Sequence, residues 1–418
     1  MSTLPRKSTS ERPANLTLGK KDLPDLTDLR GGNWFTARDG WEIYWKAWKP
    51  ETTVVANVIA VHGFGEHINR YDPLFSFFAS KGIAVRGIDQ RGHGRTHFKN
   101  LERGSLQGYM GTFKNTFEDL LQLNEMDIGG LPKKGEVPTF VFGHSMGGLI
   151  SLSLVNLHAQ RIPNFRGIVV QAPCIRTARS FPSLVSSTIS TLGTSFFPRY
   201  QAPSGAMELN NILDPSLHEE YSKDPYNHNF MTIRLLRDFI TYGRKVEDTA
   251  STFSHPLLLY HSRTDKLTSC EASELFIKNS IADDKTVKFF DNARHELHFE
   301  SELRDQIATD YAEWILARST ATPPLPAKTP AGALPATVEV VTQETVVTPV
   351  STDVDTKSPD VDADATKKPA ADVEATADAV PAVPAKEINE SKVVPSTVEE
   401  PVDKLEAKDL PQIPVESS

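Results

Sequence analysis

The chain has 418 residues, a formal net charge of −9, and 8% aromatic residues. The charge is unevenly spread: after Arg318 there are 18 acidic residues and 8 lysines, so the body before that point is near neutral and gives no argument for nucleic-acid binding. Two cysteines, Cys174 and Cys270, cannot make a disulfide framework and suit a reducing compartment, and nowhere do about 18 apolar residues run together to span a membrane.

Residues 1–32 read as a polar, flexible leader without the apolar run of a secretory signal. The body, 33–318, has the size of one α/β domain with an insertion. Trp41 to Trp48 alternates large and polar side chains and predicts a strand near an antiparallel edge of the sheet. Val54 to Val61 is an apolar, β-branched run and predicts a buried strand. It ends in His62-Gly63-Phe64-Gly65-Glu66-His67, and a helix is expected from about Arg70 to Ser80, closed by Gly82. Ile83 to Ile88 is the next strand, and Asp89 to Arg95 a glycine-rich loop. Phe117, Leu120, Leu121 and Leu123 recur at helical period, which predicts a helix over Phe113 to Met126.

Thr139 to Phe142 is a further apolar strand, leading into Gly143-His144-Ser145-Met146-Gly147 and a helix from Met146 to about Gln160. A bare G-x-S-x-G arises by chance in roughly one chain in seven of this length at average Gly and Ser frequencies. Its seat between strand and helix is what a nucleophile elbow requires. The flanking glycines have a steric reason, because so sharp a turn leaves no room for a Cβ. The helix N-terminus behind the serine favours negative charge.

After the strand Gly167 to Gln171 the alternation stops. Residues from about 174 to 230 read as a cap inserted above the carboxyl end of the sheet. Leu184, Val185, Ile189, Leu192, Phe196 and Phe197 recur there at roughly helical spacing. They either pack on the sheet domain or form an amphipathic surface that meets a lipid interface. The pattern then resumes with helices over Thr232 to Glu247, Glu271 to Asn279 and Leu303 to Arg318, and strands over Leu257 to His261 and Thr286 to Phe290. Strands alternating with helices predict an open, mostly parallel sheet with helices on both faces and the chemistry at the strands' carboxyl ends. From residue 319 to 418 the chain is dense in Pro, Ala, Val and acidic residues and has no aromatic side chain, so a disordered tail is expected.

A serine hydroxyl needs a base to take its proton, and the base needs a third group to fix its tautomer. In this fold the partners follow in the order Ser, Asp or Glu, His, each after a late strand. Asp265 follows the strand ending at His261, and His295 follows the one ending at Phe290. Ser145, Asp265 and His295 are therefore the expected nucleophile, orienting carboxylate and general base. Asp291 and His298 are the nearest competitors: Asp291 lies too close in sequence to His295, and His298 reads as the start of the last helix. His144 reads as a packing residue turned away from the elbow. The oxyanion donors are expected to be the backbone N–H groups of Met146 and Phe64.

These stretches together resemble the monoacylglycerol lipase family of serine α/β hydrolases, in its fungal form. They are His62 to His67 with Arg70-Tyr71, Asp89 to Gly94, Gly143 to Gly148, the Ser262–Asp265 loop, His295-x-Leu297-His298, and Tyr221-x-x-Asp224-Pro225-Tyr226 in the cap. The resemblance covers about Asn33 to Ala317. It implies an α/β-hydrolase fold and cleavage of a long-chain monoacylglycerol to glycerol and fatty acid through an acyl-Ser145 intermediate, with no cofactor and no metal. It also places Arg70, Tyr221 and His298 near the glycerol end of the pocket and Glu66 in support of the oxyanion loop. Where the mammalian enzymes carry a cysteine three residues after the Asp, this chain has Thr268. A cytoplasmic enzyme, peripheral on lipid droplets or intracellular membranes, is the expected setting. A lysophospholipase or broad carboxylesterase would use the same triad, and a non-catalytic binding module acting through its tail is the reading from a different class.

Overall fold

The computed structural model describes residues 23–178, 193–204 and 208–320, all within the first of the chain's two units, Met1–Val347. The leader to residue 22, the cap positions Leu184, Val185, Ile189 and Leu192, and the tail beyond Thr320 lie outside the described residues.

The chain alternates strand and helix. In order come β1 (Gly32–Thr36), β2 (Glu42–Trp48), β3 (Ala56–Val61), α1 (Asp72–Ser80), β4 (Ile83–Ile88), α2 (Gly94–Lys99), α3 (Phe113–Glu125), β5 (Thr139–His144), α4 (Met146–His158) and β6 (Phe165–Gln171). The cap between β6 and the next sheet strand holds β7 (Gln201–Pro203), a helical turn at Leu209–Ile212, α5 (His218–Lys223) and β8 (Phe230–Thr232). The sheet domain then resumes with α6 (Ile233–Asp248), β9 (Leu257–Ser262), α7 (Cys270–Asn279), β10 (Lys285–Phe290) and α8 (Arg304–Ser319).

Eight strands form one sheet in the order β1-β2-β4-β3-β5-β6-β9-β10. The β1–β2 and β2–β4 pairs are antiparallel and all later pairs parallel. The run of helical crossovers enforces this arrangement, since parallel neighbours need long connections that cover the faces. Every residue of β3, β4 and β5 is buried. Their side chains alternate between two cores. Ile59, Val61 and Val141 face α3, α4, α6 and α7, while Val58, Phe140 and Phe142 face α1 and α8. Each fully buried Phe or Val contributes about 1.5–3 kcal/mol.

Local signals set the helix ends. Thr112 and Asn115 form a reciprocal capping box on α3. The hydroxyls of Thr232 and Ser269 accept from the Leu235 and Ala272 N–H groups at the starts of α6 and α7. Gly82, at φ +81°, ends α1 in a conformation that L side chains avoid.

Two elements depart from the sequence reading. β1 is a short edge strand whose five residues, Gly32 to Thr36, were too few to show a period. The supposed loop end at Gly94-Arg95 opens α2, whose Arg95, Thr96 and His97 are all buried. Its polar sequence hides this, because the burial comes from the cap and β2. The Arg95 guanidinium is sandwiched between Tyr44, 5.0 Å from the ring centroid, and Tyr226 at 4.1 Å.

Candidate active site

Ser145 sits between the central strand β5 and α4 with φ +55° and ψ −118°, a strained backbone for a non-glycine residue. The flanking glycines cannot be exchanged. A Cβ on Gly143 would run into the Gly147 carbonyl and the Ser151 hydroxyl. One on Gly147 would run into the Val61 carbonyl and stand 2.6 Å from that of His62. The turn is thus pressed between α4 and the end of β3, which holds the serine up at the carboxyl edge of the sheet.

Asp265 and His295 reach the same place from the loops after β9 and β10. His295 Nδ1 donates to Asp265 Oδ2 at 2.6 Å. The other oxygen, Oδ1, accepts the backbone N–H groups of Leu267 (2.7 Å) and Thr268 (3.0 Å). Burial raises the Asp265 carboxyl, but the charge of His295 and hydrogen bonds from both His261 and His295 hold it well below the usual carboxylate range. Burial likewise pulls His295 down, and the carboxylates of Asp265, Glu296 and Glu66 more than offset it, so His295 lies above its ordinary value. The result is a base oriented through Nδ1 with Nε2 left for a reacting hydroxyl. Ser145 and His295 line one cavity.

Across from the elbow, the Gly63 peptide is held on both sides. Its N–H donates to Glu66 Oε1 at 2.6 Å, and its carbonyl accepts from His62 Nδ1 at 2.8 Å. His62 is fixed in that tautomer because its Nε2 accepts the Gln90 N–H at 3.0 Å. Pinning the Gly63 carbonyl orients the Phe64 N–H, which belongs to the same peptide. A Cβ on Gly63 would lie 2.5 Å from Glu66 Oε1 and 3.4 Å from Ser145 Cβ, so the loop's close approach to the serine needs glycine there. Met146, as the first residue of α4, has no intrahelical acceptor for its N–H.

The cavity is lined by the polar residues Glu66, His144, Ser145, Thr177, Ser204, Thr268, His295 and Glu296 and by the apolar side chains of Phe64, Ile212, Met231, Phe239 and Leu267. Glu66, expected to support the oxyanion loop, lines the cavity and accepts the Gly63 N–H. Arg70, Tyr221 and His298 do not line it. The Arg70 guanidinium pairs with Glu66 and bidentately with Glu296 at 2.9 and 2.7 Å, between the rings of Tyr221 (4.7 Å) and Phe299 (4.8 Å). Burial opposes this charge, yet the two carboxylates keep Arg70 firmly protonated. His298 lies in a short turn before α8 rather than opening it, stacked on Tyr71, with Gln171 Nε2 2.7 Å from its Nδ1. Burial first, then neighbouring positive groups, depress it well below its ordinary value.

His144 is a correction of another kind. Its ring faces that of His295 at 4.8 Å, and its Nδ1 donates to Tyr71 Oη at 2.9 Å. The elbow turn, not its sequence neighbourhood, aims it there. Asp291 is remote, exposed and paired with Arg263. Sequence reasoning missed Glu296, whose only local signal was its place beside His295. It also missed His261, treated as a strand end, whose imidazole lies 3.3 Å from Asp265. Among the described residues no three His, Cys, Asp or Glu side chains converge as metal ligands, and no helix is long and apolar enough to cross a membrane.

A mostly parallel sheet with a strained serine at the carboxyl end of its central strand, facing an Asp–His pair from later loops, defines an α/β hydrolase of the serine type. Comparison with known proteins agrees. The serine aminopeptidase S33 profile matches residues 52–302. An uncharacterized abhydrolase domain-containing protein of Dictyostelium discoideum is 29% identical over 283 residues, which are 65% of this chain and 27% of that protein. The chain thus spans about a quarter of that relative's length. Rat (Rattus norvegicus) monoglyceride lipase is 27% identical over 320 residues, 75% of this chain and 97% of its own. A crystal structure of a soluble variant of Saccharomyces cerevisiae monoglyceride lipase, in complex with a substrate analog, superposes with a TM-score of 0.59 at 23% identity, covering 69% of this chain and 96% of that one, a likeness of fold. The chain belongs to the serine aminopeptidase S33 family of hydrolases, and the resemblance to monoacylglycerol lipases first read from its motifs extends over the whole body of the protein.

Proposed function

We propose that this hydrolase cleaves the ester of a long-chain monoacylglycerol to glycerol and free fatty acid. Ser145 Oγ attacks the ester carbonyl as His295 Nε2 takes its proton, and Asp265 stabilises the imidazolium formed. The N–H groups of Phe64 and Met146 receive the negative charge on the carbonyl oxygen. On collapse, the glycerol oxygen leaves with the proton from His295, and an acyl-Ser145 ester remains. A water, deprotonated by His295, then attacks this ester, releasing the fatty acid and restoring the serine. No cofactor enters the sequence.

One observation carries the substrate class. The cavity at Ser145 is lined both by carboxylates, Glu66 and Glu296, and by the apolar side chains of Ile212, Met231, Phe239 and Leu267, a mixed lining that suits a hydroxylated head and an acyl chain. The cap adds support for a lipid interface, since Phe196 and Phe197 are 72% and 67% exposed, and Tyr200 beside them 63%. Peripheral attachment to lipid droplets or intracellular membranes fits that surface. A second reading has its own observation: Glu66 and Glu296, not Arg70, face the cavity, and carboxylates suit a cationic choline head.

The test is glycerol release from a micellar long-chain monoacylglycerol, with lysophosphatidylcholine and a soluble short-chain ester in parallel. The monoacylglycerol should be preferred, and Ser145→Ala should lose more than about a thousandfold. A double Phe196→Ser, Phe197→Ser variant should lose rate on micelles and keep it on the soluble ester. Faster cleavage of the lysophospholipid would reassign the head group; full activity in Ser145→Ala would sink the mechanism.

A further inference from the structure

Asp265 Oδ2 is shared by more than His295. The Thr268 hydroxyl donates to it at 2.7 Å, and on the side away from His295 stands His261, with Nε2 3.3 Å from Oδ2 and 3.1 Å from Thr268 Oγ1. His261 Nδ1 lies 2.9 Å from the hydroxyl of Ser273 in α7. Histidine, threonine and serine are all buried, and three separate elements bring them together.

The direction of each bond follows from the charge. Thr268 has one proton, and the carboxylate is its shortest and only charged acceptor. A bare Nε2 lone pair 3.3 Å from that carboxylate would be repelled, so His261 carries its proton on Nε2 and shares it between Thr268 Oγ1 and Asp265 Oδ2. Its Nδ1 then accepts from Ser273. The chain runs from Ser273 through His261 and Thr268 to Asp265, and ends opposite His295.

We propose that His261 is a positioning residue: directly and through Thr268, it holds Asp265 Oδ2 in place against His295 and draws charge away from that contact. The proposal rests on the reading of Asp265 and His295 as orienting carboxylate and base. Hydrogen bonds to an ionised carboxylate lower its proton affinity. Without them, Asp265 pulls harder on the proton of His295, and the imidazolium persists to higher pH. The groups that act on His295 are Asp265 from the loop after β9, Glu296 on its own loop, Glu66 from the oxyanion loop, His144 from the elbow, and His298, with Arg70 behind the two glutamates and His261 behind Asp265. Only Asp265 and His261 belong to the relay, so variants in the relay leave the other charges unchanged.

The experiment is the pH profile of kcat/KM on a soluble short-chain ester for Thr268→Val, Thr268→Ser, His261→Leu and His261→Gln, with Asp265→Asn alongside. Thr268→Val is close to isosteric and removes the hydroxyl. Its acid limb, and that of His261→Leu, should move to higher pH, by about one unit if the rate on that limb falls tenfold more than at the plateau. Thr268→Ser and His261→Gln, which restore a hydroxyl and an N–H donor near Nε2, should return the limb toward wild type. A uniform loss across pH, with the limb unmoved in Thr268→Val, would overturn the relay as a purely structural contact. If His261→Leu does not fold, Thr268→Val against Thr268→Ser decides. If Asp265→Asn keeps the wild-type rate, the triad reading itself has failed, an outcome distinct from an unmoved limb in an enzyme that needs Asp265.

Discussion

At the scale of single residues, the proposed mechanism makes the Asp265–His295 pair set the pH at which the enzyme works. The base must be neutral to accept the serine proton, and its proton affinity is raised above the ordinary value of 6.5. Activity is therefore expected to fall on the acid side with a midpoint above pH 6.5. Asp265→Asn removes the charge that raises it. Its midpoint should move down, opposite to Thr268→Val, and kcat should drop by about 10⁴, since the imidazole loses its tautomer control. Steady-state kinetics on a soluble ester across pH checks both, and a midpoint below 6.5 in the wild type would contradict the assignment of His295.

At the scale of elements, α4 and β3 meet at backbone distance through Gly147. A methyl group there would overlap the Val61 carbonyl, which the β3–β5 ladder holds in place. Gly147→Ala is expected to cost about 3 kcal/mol, at the upper end for overpacking, and to abolish activity by displacing Ser145. Gly129, with nothing within 4 Å of its notional Cβ, is the control: Gly129→Ala should change neither. Thermal melts and the soluble-ester assay read the difference. A Gly147→Ala protein with wild-type Tm and rate would mean that the elbow is not clamped as described. The same close packing explains the two glycines, Gly147 and Gly148, in the first turn of α4, ahead of the large apolar Leu149, Ile150 and Leu152 that pack in the core.

At the scale of the whole molecule, buried histidines make stability depend on pH. Burial holds His62, His93, His97, His158, His228, His255 and His298 below their ordinary value, His97 at about 4 and His228 at about 3. Folded, they stay neutral below pH 6.5, where the unfolded chain takes up protons, so their contribution is lost as pH falls from 6.5 toward 4. His295 and Asp119, which are raised, and Asp238, pushed up to about 6 by burial, act in the opposite sense. Seven histidines against three raised groups leave a net loss on acidification. Tm at pH 5 should lie below Tm at pH 7, and a higher Tm at pH 5 would show that the histidines are protonated in the fold.

The sequence by itself determined the parts that local chemistry encodes. Strands β3, β4, β5 and β9 were legible because buried parallel strands are continuous apolar runs, and the elbow because a sharp strand-to-helix turn needs glycine on both sides of Ser145. Asp265 and His295 followed from chain order and loop position. Tertiary structure alone decided what lies across space. Arg70 and Glu296 stand 226 residues apart, yet Glu296 takes the guanidinium that the resemblance placed toward glycerol. The burial of polar α2 depends on Tyr226 from the cap, and His144 turns toward His295 because the elbow backbone aims it. His261 looked like the last residue of a strand until Thr268 and Ser273 were folded around it. Periodicity reports which face of an element is buried; it carries no record of which polar group from another element meets a side chain there.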